Sequence, residues 1–133
     1  MKILIVEDDL TSRFVLQKML TPYGECNSVV NGREAVEAFK LALDEKKPYD
    51  LICLDIMMHE MDGRTALRLI RQIEKENNIH AKDEVKIVMM TALDSPEEVF
   101  DAYYKGACTH YLVKPIEKQK LLNVLEELEL IKK

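Results

Sequence analysis

The sequence predicts an α/β domain with three layers, a parallel five-stranded sheet between helices on both faces. Short apolar runs rich in Ile, Leu and Val alternate five times with longer segments of helical periodicity. The run Leu51-Ile52-Cys53-Leu54 is apolar at consecutive positions, as in a strand covered on both sides. Each of four runs ends on a residue able to bind or react: Glu7 and Asp8, Asp55, Thr91, and Lys114. Alternating strands and helices joined by right-handed crossovers give a parallel sheet, which brings these ends to one edge.

Lys2 to Val6 reads as the first strand, closed by Glu7-Asp8-Asp9. The helix that begins at Leu10 carries Val15, Leu16, Met19 and Leu20 at helical spacing and is stopped by Pro22 and Gly24. Glu25 to Val30 is weakly apolar in its first half, which suits an edge strand. Asn31 followed by Glu34 resembles a capping box and opens a helix to about Glu45, with a stripe of Ala35, Val36, Phe39, Ala42 and Leu43. Lys46-Lys47-Pro48 closes it with positive charge.

After the Asp55 strand and its loop, a helix is predicted from about Arg64 to Glu76, buried through Ala66, Leu69, Ile70 and Ile73. Asn77 to Glu84 reads as a polar surface loop, and Lys86 to Thr91 as the fourth strand. Ser95-Pro96-Glu97-Glu98 combines an N-cap, a first-turn proline and two acids, a helix start, with Gly106 suited to its end. Tyr103 and Tyr104 fall on that helix, one of them expected to be buried against Val99. Thr109 to Val113 is the fifth strand, and a last helix is expected from about Glu117 to Leu130 through Leu121, Val124, Leu125 and Leu128.

A chain of 133 residues fits one domain, and at this length roughly two-thirds of the extended surface is buried on folding. The apolar runs are far shorter than a bilayer span, and the amino terminus lacks the pattern of a signal peptide, so a cytoplasmic protein is expected. The net charge of −5 argues against nucleic acid as a direct partner, because phosphate backbones need clustered Lys and Arg. Cys26, Cys53 and Cys108 have no Cys-x-x-Cys spacing and read as reduced thiols. The methionines around Asp55 and Thr91 read as packing residues.

Glu7, Asp8 and Asp55 at one sheet edge would repel unless a cation were present. A hard divalent ion such as Mg²⁺ meets that need, and Lys114 adds a further positive charge. Such a pocket suits phosphoryl transfer, in which the protein supplies position and charge stabilisation. Asp55, on a central strand between the other acids and the lysine, is the candidate nucleophile for an aspartyl phosphate. Thr91 can hydrogen-bond one phosphoryl oxygen and Lys114 can pair with another.

With Ile-Leu-Ile-Val-Glu-Asp-Asp at the start, Asp55-Ile-Met-Met-x-x-Met-Asp-Gly63 in the middle, then Met-Met-Thr91-Ala92 and Lys114-Pro115, the whole chain resembles the receiver domains of two-component response regulators, of the chemotaxis-type single-domain kind. The resemblance implies a flavodoxin-like (βα)5 fold of strand order 2-1-3-4-5. It implies Asp55 as phosphoacceptor, Asp8 as direct Mg²⁺ ligand, Glu7 as a ligand through water, and the Met57 carbonyl as a further ligand. Thr91 and Tyr111 would be the switch residues, and Lys114, before a cis proline, the phosphoryl-binding cation. Donor partners would be a sensor histidine kinase or a histidine phosphotransfer protein, and a downstream protein target would meet the face formed by the fourth predicted helix, the fifth strand and the last helix. The implied role is that of a signalling domain rather than an enzyme.

The sequence departs from the family pattern at His59, where proline is common. A surface substitution is the plain reading, and a pH-sensitive docking loop is the sharper one. Met57 and Leu93 cannot orient an attacking water, so slow loss of the phosphoryl group is expected, while small Ala92 leaves it reachable. Residues 1–133 are expected to form one receiver domain acting through protein contact. A hydrolase using an aspartyl phosphate would want an acid at Met57, and a flavin carrier would be repelled by Glu7-Asp8-Asp9. A phosphorylation-independent interaction module with the same fold is the alternative; its expected sign is a lost acceptor, acid pair, hydroxyl or lysine, and all are present.

Overall fold

The computed structural model describes residues 1–56, 61–91 and 108–132. Its strands are β1 (Lys2–Val6), β2 (Glu25–Val29), β3 (Leu51–Asp55), β4 (Lys86–Thr91) and β5 (His110–Val113), and its helices α1 (Leu10–Leu20), α2 (Gly32–Asp44), α3 (Gly63–Glu76) and a C-terminal helix (Lys118–Glu127). The strands form one sheet in the order β2-β1-β3-β4-β5, all pairs parallel. The fold is the flavodoxin-like one that the sequence predicts. The helix expected from Ser95, with Tyr103 and Tyr104, lies outside the described residues, as do Met57, His59, Ala92 and Leu93.

Side chains alternate across the central strands and so fill two separate cores. Leu4, Val6, Ile52, Leu54, Ile87 and Met89 pack under α2 and α3, which contribute Ala35, Phe39, Ala66, Leu67 and Ile70. Ile3, Ile5, Leu51, Cys53, Val88 and Met90 pack on the other face under Leu16 and Leu20 of α1 and Leu121, Val124 and Leu125 of the C-terminal helix. Cover on both faces is why β1, β3 and β4 are apolar throughout their interiors. Edge strand β2 has no such cover and is exposed or half-buried along its length.

Helix ends follow from local chemistry. Asn31 Oδ1 accepts from the Glu34 N–H at 2.8 Å, and Glu34 Oε1 in turn accepts from the Val30 N–H at 3.1 Å. That return bond takes Val30 out of the ladder, so β2 stops one residue earlier than expected. Helices α2, α3 and the C-terminal helix each end on a residue of positive φ, Lys46 (59°), Asn78 (57°) and Glu129 (60°). Paired reverse bonds close these ends, such as Lys47 N–H to Ala42 O and Lys46 N–H to Leu43 O. At Glu129 this turn, with Leu130 N–H bonded to Leu125 O, ends the last helix at Glu127 instead of Leu130.

Two further expectations need correction. Val15 is exposed, because α1 meets the sheet through Leu16 and Leu20, with Met19 partly covered beside them. In α3 the buried face is Ala66, Leu67, Ile70 and Glu74, with Leu69 and Ile73 only partly covered. Glu74 tolerates burial because its carboxylate accepts from Arg71 Nη1 and from the Val85 N–H, both at 2.7 Å. Arg71 also donates to the Val85 carbonyl at 2.9 Å, so the pair anchors α3 to the start of β4.

The cysteines are free. Burial pushes the Cys53 thiol up to about 12 and the Cys108 thiol up to about 11, which removes the reactive thiolate near neutrality. In the folded protein at pH 8 a thiol reagent is therefore expected to reach half-buried Cys26 first. Cys53 should react only after denaturant is added, and rapid labelling of all three in buffer would contradict that order.

Candidate functional site

The site lies at the carboxyl edge of the sheet, where β1 and β3 run side by side in the register Val6↔Leu54. The next residue of each strand end is an acid, Glu7 and Asp55, so the pairing that buries the two apolar strands also brings the two carboxylates together. Glu7 is 0% exposed and Asp55 4%. Asp8, one residue on, is exposed. Oxygens of Glu7, Asp8 and Asp55 all lie within 4.8 Å of one another.

Lys114 reaches this cluster from the end of β5. Its Nζ donates to Glu7 Oε1 at 2.8 Å and to Asp55 Oδ2 at 3.0 Å. Its N–H donates to the Thr91 carbonyl at 2.7 Å, so Thr91 and Lys114 share one backbone anchor. The Lys114–Pro115 peptide is cis. Thr91 itself is buried at the end of β4. Tyr111 of β5 is turned outward, 39% exposed, and its N–H donates to His110 Nδ1 at 2.8 Å. His110 Nε2 lies 3.0 Å from Glu127 Oε2.

The third acid of the Glu7-Asp8-Asp9 run has another task. Asp9 Oδ2 accepts from the Ser12 N–H at 2.8 Å and caps α1; these bonds hold its carboxyl below the usual range. The signal was present as Asp9 three places before Ser12, the spacing of an N-cap bond.

Two glycines let the loops close around the acids. A Cβ on Gly63 would collide with the Asp55 carbonyl, and one on Gly32 with the Met61 carbonyl. Gly63 also donates its N–H to the Ile56 carbonyl at 2.9 Å, folding the start of α3 back against the end of β3.

Electrostatics shows what the cluster lacks. Burial, then the adjacent Asp55 carboxylate, pushes the Glu7 carboxyl above its ordinary value, with Lys114 opposing. Burial works against the Lys114 ammonium, but Glu7 and Asp55 outweigh it and hold the lysine above its ordinary value. One ammonium thus faces three carboxylates, and the donor set is oxygen only. That chemistry fits a hard divalent cation such as Mg²⁺, for which Glu7, Asp8 and Asp55 would supply oxygens.

Because Glu7 must release its proton before a cation can share its charge, Mg²⁺ affinity is expected to keep rising with pH above 4.5, the ordinary glutamate value. Titrations of Mg²⁺ across a pH series measure this. An affinity already flat above 4.5 would contradict the raised Glu7. In the cation-free protein the sign runs the other way: Glu7's contribution to stability is full at low pH and is lost as pH rises through its raised value.

Comparison with known proteins identifies the family. The sequence model of the response regulator receiver domain matches residues 3–126. The chain is 34% identical over 128 residues to the chemotaxis protein CheY of Bacillus subtilis, covering 95% of each. Among solved structures it is similar to the receiver domain of Ssk1, crystallised with the histidine phosphotransfer protein Ypd1 of Saccharomyces cerevisiae. There the TM-score is 0.82 at 27% identity, with 99% of this chain and 92% of that one covered. It is also similar to a chain of the CheX–CheY–BeF3–Mg complex of Borrelia burgdorferi, with TM-score 0.81, 25% identity, and coverage of 96% and 88%. With its strand order, its acids at the ends of β1 and β3, and its lysine after β5, the chain belongs to the response regulator receiver domain family.

Proposed function

We propose that residues 1–133 form one receiver that accepts a phosphoryl group on Asp55 from a phosphohistidine, with Mg²⁺ held by Asp8, Asp55, the Met57 carbonyl and, through water, Glu7. The observation that carries this reading is the Lys114 ammonium bridging Glu7 and Asp55 beside Asp8. Transfer forms a bond from an Asp55 carboxylate oxygen to phosphorus as the phosphorus–nitrogen bond breaks. The electron pair leaves with the donor imidazole, which takes up a proton from solvent. The cation, when bound, offsets charge on the phosphoryl oxygens; Lys114 pairs with one of them and the Thr91 hydroxyl donates to another.

The donor is a sensor histidine kinase or a histidine phosphotransfer protein. The surface beside the site supports a protein donor. Leu10 and Phe14 on α1 are 69% and 57% exposed. Next to them a cavity of about 450 Å³ is lined by Thr11, Ser12, Val15, Leu16, Pro115 and Ile116 as well as Glu7 and Lys114. A partner covering this apolar surface would exclude water from the transfer.

Once Asp55 is phosphorylated, Thr91 moves toward the phosphoryl group and Tyr111 turns inward, shifting an existing equilibrium and changing the face seen by a downstream protein target. Met57 and Leu93 set a long signal lifetime, small Ala92 leaves the phosphoryl group reachable, and His59 bears on partner choice. No helix among the described residues is long and apolar enough to cross a membrane, and the domain acts in the cytoplasm. The test is transfer itself: a histidine phosphotransfer protein carrying labelled phosphate should lose label to this chain in Mg²⁺ and not in chelator. Failure with every donor tried, including small acyl phosphates, would overturn the proposal.

A further inference from the structure

Arg13 stands on α1, one turn beyond the acids, and belongs to none of the motifs above. Its Nη1 donates to the Glu7 main-chain carbonyl at 2.9 Å. A guanidinium this close to Glu7, Asp8 and Asp9 would be expected to pair with a carboxylate. Among the described residues it makes no such ion pair; its bond goes to a carbonyl, which leaves the carboxylate oxygens to other partners.

That bond completes a frame around Asp8. The Glu7 N–H donates to the Val29 carbonyl at 3.1 Å and fixes the turn to β2. The Asp9 N–H approaches Glu7 Oε2 at 3.4 Å, and Asp9 caps α1 through Ser12 at 2.8 Å. The Arg13 N–H bonds the Asp9 carbonyl at 2.9 Å within the first turn of α1. Thus both backbone groups of Glu7 and both of Asp9 have partners, and Arg13 supplies two of those contacts, one by its side chain and one by its backbone. Asp8 is left at the centre of a fixed turn with an exposed carboxylate.

We infer that Arg13 is a positioning residue of the cation site, holding the β1–α1 turn so that Glu7 and Asp8 face Asp55. The inference rests on the proposed cation site. Its sign separates it from a simple charge effect: a cationic side chain near the site repels Mg²⁺, so removing the charge alone would tighten binding. Loss of position weakens it.

The test is calorimetric Mg²⁺ titration of the whole chain carrying Arg13→Met, which keeps the apolar stem, and Arg13→Lys, which keeps a donor. Arg13→Met should weaken Mg²⁺ binding about tenfold, the scale found when outer partners of metal ligands are removed, and Arg13→Lys should recover part of that loss. In the cation-free Arg13→Met protein, backbone amide shifts of residues 7–9 should move while those of β3 and β4 stay in place. Unchanged or tighter Mg²⁺ binding by Arg13→Met would overturn the inference, and so would unmoved amides. Asp8→Ala is the control for the site itself: if it binds Mg²⁺ like the parent, the cation site is wrongly placed, whereas its loss beside an unaffected Arg13→Met rejects the role of Arg13 alone.

Discussion

Asp55→Asn is expected to abolish phosphorylation, whether the donor is a phosphohistidine protein or a small acyl phosphate. The amide keeps the size and most hydrogen bonds of the side chain, so the fold should persist. What is lost is the anionic oxygen that attacks phosphorus. The same change replaces one of the three carboxylates that would hold the cation with a neutral amide, so Mg²⁺ affinity should fall at least about tenfold. Intact mass after incubation with donor reads the first effect and Mg²⁺ titration the second. A phosphoryl group still gained by the Asn variant would place the acceptor elsewhere.

Lys114→Ala should have the next largest effect, with a kinetic and a thermodynamic part. A donor preorganised toward developing charge commonly contributes a factor of about 10² to 10³, so phosphorylation should slow by about 10²-fold with the acceptor still present. Without cation, the variant leaves Glu7 and Asp55 without their shared ammonium. Because Lys114 is about a third exposed, solvent takes up part of that loss, and the cost at pH 8 should be about 1 kcal/mol.

The pH dependence of that cost has a definite sign. Lys114 pulls the raised Glu7 value downward, so its removal raises the Glu7 value further. The loss of stability is full where Glu7 is ionised in both proteins and vanishes at low pH, where Glu7 is protonated whether folded or unfolded. Denaturant midpoints of the two proteins should therefore converge on acidification. A gap that widens toward low pH would contradict the pairing.

Much of this was legible because strand ends and helix stripes are local patterns. β4 runs over Lys86–Thr91 as its apolar run predicts, and β3 ends on Asp55. The acids could be assigned to one edge because a parallel sheet leaves no other arrangement for strand ends. What escaped was set by contacts between distant residues. Glu74 shares a helix face with Ala66, Leu67 and Ile70, but its charge reads as solvent-facing; Arg71 and the Val85 N–H satisfy the carboxylate and let it be buried. Val15 shares the helical spacing of Leu16, Met19 and Leu20, yet only those three pack on the sheet and Val15 stays exposed. The ends of α2, α3 and the last helix use Lys46, Asn78 and Glu129 at positive φ, where sequence rules look first for glycine. Arg13 escaped for a related reason: its partner is a backbone carbonyl, which no side-chain pattern reveals.

The proposed function stands on buried Asp55 as the phosphoacceptor. The most direct measurement is peptide mapping of the phosphorylated chain after borohydride reduction, which converts an aspartyl phosphate to homoserine. The conversion is expected at Asp55 alone. Homoserine at Asp8, or the longer 2-amino-5-hydroxypentanoic acid at Glu7, or phosphate retained on a peptide that lacks Asp55, would contradict it.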